Sequence, residues 1–440
     1  MMMMKLAVVG SGYVGNVTGA CFAALGHQVT IAGLEKEKIE RLQQGHVSFY
    51  EDGLESMIQS ELASGKLNYS LDIAEACEDA DIVFLCVTAP PKNDATPDLK
   101  PIEAVVAPMV ATWMSGYKLL VERSNLPVGF HVWLKAFIQQ HLPEGSTCEV
   151  ELAAVPQFLR EGQAIHDFYQ PDRLVIGAET QRAKELLTLV HDGISAPLLM
   201  TDISSAEMIK HATNAFLATK ISFINTIAQL CEKTGADIQV VSKGLGMDAR
   251  ISPHFLNAGL GYGGIFLPRD IQALQHVATQ HHLDLDILKA TQTVNRYQRI
   301  CFIERIEAAG GGSLVGKTVA IWGLAYRPNT DDMRDAPSVQ IIWGLQNRGA
   351  AIRAFDPLAM PACRDKVRKV TFCQDVYEAA EGADVIAVLT EWPEFTTINL
   401  SHLKERSQCR LIVDGRNLFN ASRMQEQGFT YHSVGRALKS

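Results

Sequence analysis

The sequence predicts an α/β protein built from two doubly wound, parallel-sheet units joined by a long central helix and a helical middle. Three observations carry that expectation. Short apolar runs alternate with helical stretches up to about residue 200, and again from residue 314 to the end. Each series opens on an apolar strand entering a glycine turn, "KLAVVGSGYVG" and "KTVAIWGLAY". Between them, "ISSAEMIKHATNAFLATKISFINTIAQLCEKTG" contains neither glycine nor proline until its last residue. Strands covered on both faces read as continuous apolar runs, and alternation with helices makes the sheet parallel.

In chain order, "KLAVVG", "QVTIAG", "ADIVFLCV", "YKLLVER", "EVELAAV" and "RLVIGA" read as the buried strands of a first domain, residues 1–200. The long segment from Ile203 is apolar on nearly every face and reads as a buried helix stopped by Gly235. Helical patterns continue to about Ala309, giving a middle domain over 201–308, and "AGGGS" at 309–313 reads as a linker. "KTVAIWGLAY", "AIRAFDP", "ADVIAVLT" and "CRLIVDGR" are the strands of a smaller third domain, 314–440. A chain of 440 residues is long enough for about three such units.

The composition is that of a globular protein, 47% apolar and 20% charged, with a formal net charge of −9. With no basic run, neither a nucleic-acid partner nor an anionic membrane surface is expected. Nine scattered cysteines, never spaced C-x-x-C, fit reduced thiols and argue against a zinc site. No leader-like segment or bilayer-length apolar run is visible, so the cytoplasm is the expected location.

Gly10-Ser11-Gly12-Tyr13-Val14-Gly15 has the G-x-G-x-x-G spacing between a strand and a helix. There the first glycine makes the turn, the second admits a pyrophosphate, and the third brings helix close to strand. An acidic residue is expected at the end of the next strand to hold ribose hydroxyls. Gly33 stands there, with Glu35 and Lys36 just beyond. Three outcomes stay open: Glu35 substitutes, the cofactor is the 2′-phosphorylated form, or dinucleotide binding has weakened. Glu35 and Lys36 also read as an ordinary exposed helical turn.

Lys210 and Asn214 share a helix face with Leu217 and Ile221. Lys210 either snorkels outward or is a fixed cation aimed at a developing oxyanion. "FLREGQAIHDFYQPDR", from Phe158, is a charged loop at a strand end, where ligands of open α/β sheets sit. In "YRPNTDDMRDAPS", Arg327 and Arg334 either bind phosphate or pair with Asp331, Asp332 and Asp335. "GYGGIFLPRD", from Gly261, crowds three glycines ahead of Phe266.

Taken together, "GSGYVG", "FYEDGLE", "FLCVTAPP", "ERSNLPVG", "EMIKHATNAFLATKISFIN", "GLGYGG", "GLAYRPNTDDMRDAPS" and "DGRN" resemble the UDP-glucose/GDP-mannose dehydrogenase family, and more closely its UDP-glucose 6-dehydrogenase branch. The resemblance implies an NAD cofactor, with NADP as the alternative because of Gly33, a UDP-sugar substrate, and a homodimer through the central helix. It implies catalytic roles for Lys210, Asn214, Asp270 and Glu161. At the cofactor it implies Gly10, Gly12, Tyr13, Val14, Gly15, Glu35, Lys36, Ser124, Arg269 and Arg334. At the sugar nucleotide it implies Phe158, Leu159, Arg160, Arg250, Phe255, Leu256, Gly263, Arg327 and Arg416.

The sequence departs from the family pattern at the chemistry. Phe266 stands where the family carries a cysteine nucleophile, Asn125 where it carries threonine, and Gln157 where it carries the first glutamate of P-E-F-L-R-E. The expectation is therefore hydride transfer from a sugar hydroxyl without a covalent thiohemiacetal. The alternative is a non-catalytic nucleotide-sugar-binding homologue.

Overall fold

The computed structural model describes residues 3–90, 92 and 96–437. Pro91 of the "FLCVTAPP" motif lies outside the described residues. The chain forms two compact units, one comprising residues 1–213 and 269–284, the other 214–268 and 285–440.

The first unit holds an eight-stranded sheet: β1 (Lys5–Val9), β2 (Gln28–Ala32), β3 (Leu67–Ser70), β4 (Ile82–Leu85), β5 (Tyr117–Glu122), β6 (Glu149–Ala154), β7 (Leu174–Ala178) and β8 (Leu198–Thr201). Their order is β3-β2-β1-β4-β5-β6-β7-β8. The strand order reverses between β1 and β4, which is where ligands of open α/β sheets bind. All neighbours are parallel except β6 and β7. The expectation of a purely parallel sheet is thus corrected at one join. There the chain returns through the charged loop and the short helix Ala164–Tyr169 rather than over a full crossover. Strand β3 has no apolar run to mark it and β8 only the three residues Leu198 to Met200; each is an edge strand with exposed or half-buried positions.

The second unit repeats the plan with β9 (Thr318–Trp322), β10 (Ala351–Phe355), β11 (Val370–Phe372), β12 (Val385–Val388), β13 (Leu411–Asp414) and β14 (Thr430–Ser433). Their order, β11-β10-β9-β12-β13-β14, is the dinucleotide-fold order, and every pair is parallel.

The long helix runs Ile203–Thr234, and Gly235 at φ +80° ends it. It is not buried all round, as its composition suggested. Phe216, Phe223 and Leu230 are 65%, 52% and 59% exposed. Their seven-residue spacing makes them one apolar stripe.

The glycine turn after β1 shows what each glycine is for. A Cβ on Gly15 would lie 1.8 Å from the Gly10 carbonyl oxygen, and one on Gly10, at φ +117°, 2.8 Å from the Cys86 backbone. A Cβ on Gly12 would meet nothing within 4 Å. Gly10 and Gly15 are therefore required by the fold itself, whereas Gly12 leaves space beside the N-terminus of the helix Tyr13–Ala24. Gly15→Ala is expected to destabilise the protein by about 2–3 kcal/mol, and Gly12→Ala by under about 1 kcal/mol. Urea unfolding midpoints of the two variants check this, and equal losses would contradict it.

Candidate functional site

In the first unit, four segments gather around Asp270. The long helix contributes Glu207, Lys210 and His211; the loop after β5, Ser124, Asn125 and Leu126. The loop after β6 supplies Gln157 to Glu161, and the helix Phe266–Gln280 supplies Arg269 and Asp270.

Asp270 has no exposed surface. Asn125 Nδ2 donates to both of its oxygens at 3.2 Å. Asn125 Oδ1 accepts from Gln157 Nε2 at 3.3 Å, and Gln157 Oε1 from the Leu159 amide at 2.7 Å. Two side-chain amides thus point the same way, each accepting from behind and donating ahead, ending on the carboxylate. His211 closes the other side. Its Nε2 donates to the Leu126 carbonyl at 2.6 Å, and its Nδ1 lies 3.2 Å from Asp270 Oδ1, an ion-pair distance reached off the line of a hydrogen bond. Burial works against a charged His211, but the adjacent Asp270 carboxylate and the bond to the Leu126 carbonyl outweigh it and raise its pKa.

Lys210 is 4% exposed, which rules out the snorkelling conformation. Its Nζ lies 5.1 Å from the Phe158 ring centroid, and the Arg173 guanidinium 3.7 Å from the same centroid. Burial pulls the Lys210 ammonium down to about 8; Asp270 opposes the shift and Arg173 reinforces it. A lysine at that value can exchange a proton near neutral pH.

A cavity of about 10 Å³ lies behind these groups, lined by Glu122, Ser124, Asn125, Glu207, Lys210 and His211. Glu122 is pushed well above the usual carboxylate range, first by burial and then by the neighbouring Glu207. Glu207 accepts from the Gly129 and His131 amides at 2.6 and 3.2 Å and lies 3.0 Å from His131 Nδ1. Arg269 lines a second cavity, of about 30 Å³, with Ala89, His211 and His276.

At the nucleotide turn, Tyr13 donates to Glu51, whose carboxylate also accepts from the Gly162 and Ala164 amides at 2.6 and 2.7 Å. This buried clamp fixes the turn to the loop carrying Glu161, itself 2% exposed. Val14 is buried at the start of the first helix, and Ser124 is buried in the loop after β5. Glu35 and Lys36 take the plain form of an exposed helical turn, with Glu35 beside Lys38 at 3.4 Å and Lys36 beside Glu40 at 3.7 Å. A Cβ at Gly33 would meet the Ser11 hydroxyl at 2.7 Å. Arg160 is gripped by Asp167 through its amide, Nε and Nη2 at 2.9, 2.9 and 2.6 Å.

The other expected residues belong to the second unit. Asn214 is buried on the long helix one turn past Lys210. Gly263 and Gly264 pack into their own unit: a Cβ there would lie 2.5 Å from the Asp335 carbonyl and 2.8 Å from the Tyr326 ring. Arg334 pairs with Asp332 at 2.8 Å, Arg250 with Asp248 at 2.6 Å, and Arg416 with Glu391 at 3.0 Å. Leu256 is buried, Arg327 half-buried, and Phe255 takes a left-handed φ of +62°.

Phe266 opens the helix that carries Asp270, four residues ahead on the same face. All nine cysteines are unpaired, and burial raises every one of their pKa values, Cys21, Cys77, Cys86 and Cys363 to about 12. None is a poised thiolate.

Sequence reasoning missed His211, Glu51 and the Glu122–Glu207 pair. Glu51 sits in the quoted "FYEDGLE", yet nothing there shows that the carboxylate turns inward. His211 lies 59 positions from Asp270, so only the tertiary fold brings them together.

Two doubly wound nucleotide-fold units, a buried lysine–aspartate–histidine group and an open glycine turn define a dinucleotide-dependent protein of the dehydrogenase class. Family models agree over the chain. Residues 4–195 match the NAD binding domain of the UDP-glucose/GDP-mannose dehydrogenase family, residues 204–297 its central domain, and residues 320–421 its UDP binding domain. UDP-glucose 6-dehydrogenase TuaD of Bacillus subtilis is 38% identical over 435 residues, covering 99% of this chain and 94% of that one. UDP-glucose 6-dehydrogenase of Rhizobium meliloti is 38% identical over 439 residues, 98% of this chain and all of that one. The structure of a UDP-glucose dehydrogenase from Pyrobaculum islandicum superposes with a TM-score of 0.91 at 33% identity, over 99% and 98% of the two chains. The chain belongs to the UDP-glucose/GDP-mannose dehydrogenase family.

The raised Glu122 gives a sign that can be tested. An acid whose pKa is higher folded than unfolded holds its proton in the fold, so stability falls as pH rises from the unfolded value through the folded one. Glu122→Gln keeps a donor for Glu207 and removes the titration. Its stability relative to the natural protein is expected to rise between pH 5 and pH 8 in urea unfolding series; a constant difference would contradict the shift.

Proposed function

We propose that the protein is an NAD(P)-dependent UDP-hexose dehydrogenase that removes one hydride per sugar and releases the aldehyde, without a covalent thiol intermediate. The observation that carries this reading is a buried Lys210 near pH 8 beside Asp270, in a chain with no activated thiol and with Phe266 one turn ahead of Asp270. The open face at Gly12 and the adjoining helix N-terminus suit a pyrophosphate. A bound nicotinamide supplies the hydride acceptor. Neutral Lys210 takes the alcohol proton as the hydride leaves, so an alcohol and NAD⁺ give an aldehyde, NADH and a proton held as the ammonium. Asn214 and Glu161 are assigned to orienting the sugar end, and Phe158, Leu159, Arg160, Arg250, Phe255, Leu256, Arg327 and Arg416 to the UDP-sugar. The missing acid at Gly33 leaves NAD and NADP as alternatives. Nine unpaired thiols support a reducing compartment, the cytoplasm.

The stripe of Phe216, Phe223 and Leu230 is assigned to a homodimer contact along the central helix. Phe223→Glu is expected to halve the mass seen by light scattering, and an unchanged mass would remove the stripe from the interface.

The expected product pattern is one NADH per UDP-glucose consumed, with aldehyde captured by hydroxylamine and no uronate. Phe266→Cys is expected to raise the count to two and to yield uronate. Two reduced cofactors per sugar in the natural protein would overturn the single-oxidation assignment. A second reading, a non-catalytic sugar-nucleotide binder, is favoured by the exposed, internally paired Glu35. Calorimetry showing UDP-sugar binding with neither NAD nor NADP binding would select it.

A further inference from the structure

We infer that His211 is a positioning residue that, by pairing with Asp270, keeps Lys210 in the basic form able to take the substrate proton. The inference rests on the proposed role of Lys210 and goes beyond it. The starting point is a tautomer. A carbonyl oxygen only accepts, so Nε2, 2.6 Å from the Leu126 oxygen, carries a hydrogen. Nδ1 then faces Asp270 Oδ1 at 3.2 Å. A neutral ring would turn a lone pair toward the carboxylate. A ring protonated at Nδ1 turns an N–H dipole and a full charge toward it instead.

His211 is 2% exposed and Asp270 not at all, so neither charge is screened by water. The imidazolium therefore cancels the carboxylate locally. That carboxylate holds the proton on Lys210 against burial and Arg173. With His211 uncharged, Asp270 would act on Lys210 undiluted, and the ammonium would persist to higher pH. Other ionisable groups facing the pair do not replace this cation. Glu207, one turn back on the long helix, is occupied by Gly129 and His131. Glu122 is driven toward its neutral form by burial, and Arg269 and His276 line the second cavity, which His211 also borders.

The test reads Lys210 directly, using protein labelled with ¹³C at the lysine Cε and a Lys210→Met spectrum to assign the signal. Replacing His211 by Phe is expected to raise the Lys210 midpoint by about one pH unit or more, a tenfold change in its protonation equilibrium. His211→Gln retains a donor for Leu126 without the charge and is expected to do the same, which covers a fold failure of the phenylalanine variant. Asp270→Asn is expected to move the midpoint the other way. In turnover, the alkaline rise of the hydride-transfer rate should follow the same displacement, which loss of packing alone would not produce. An unchanged or lowered Lys210 midpoint in folded His211→Phe and His211→Gln would overturn the inference. If the natural protein reduces no cofactor, the dehydrogenase reading fails while the midpoint still decides the role of His211.

Discussion

A carboxylate with no exposed surface has to be satisfied from within, and Asp270 is that group in the first unit. Leaving it without partners would cost several kcal/mol. Its partners come from separate parts of the chain, Asn125 after β5 and His211 on the long helix, while Asp270 itself is on the returning helix. Satisfying it therefore pins two helices and a loop to the sheet end where the strand order reverses. Gln157 extends the constraint to the loop after β6, whose Glu161 side is held from behind by Glu51. The geometry around Lys210 follows from this one burial.

The second sheet repeats the order of the first six strands of the first, but the two use glycine differently. In the first unit, Gly10 and Gly15 close against the backbone while Gly12 stays open. In the second, Gly261 faces Asn295, Gly263 the Asp335 carbonyl and Gly264 the Tyr326 ring. The crowded glycines ahead of Phe266 thus answer to their own neighbours. A sequence reader sees glycine and infers a ligand, yet a close backbone or ring imposes the same requirement. Only the added-Cβ distances separate the two causes.

Much of the fold was legible because buried strands announce themselves. β1, β2, β4, β5, β9, β12 and β13 are apolar runs with both faces covered. Edge strands β3, β8, β11 and β14 were missed for the converse reason: half of each faces outward. The long helix was found with its Gly235 stop, but composition could not tell a core face from the exposed Phe216–Phe223–Leu230 stripe. At the site, Lys210 and Asp270 were named, Asn125 and Gln157 stood out only as departures from the family pattern, and His211 was missed. His211, Asn125 and Gln157 act through directed contacts between segments, and direction is absent from a linear string. Arg160, Arg250 and Arg334 stood out as cations for a ligand, yet each has an aspartate within seven residues that holds it.

The charges at the site also say which chemistry it can carry. Removing a hydride from an alcohol needs one base, because the hydroxyl brings its own proton and leaves as a carbonyl. A second oxidation at the same carbon has no hydroxyl to start from until something adds to the carbonyl. Thiolate is the side chain best suited to add, since it is nucleophilic even when only a small fraction is ionised. Here every thiol is shifted the wrong way by burial. Phe266 can add nothing, and a Lys210 that had taken the first proton, as proposed above, would be a cation without a lone pair. Water would have to serve, and the Asp270 carboxylate already accepts from Asn125 on both oxygens, which leaves fewer of its lone pairs to orient one. The same bonds that make Asp270 tolerable in the interior thus compete with any water for its lone pairs, which is the constraint behind the single oxidation proposed above.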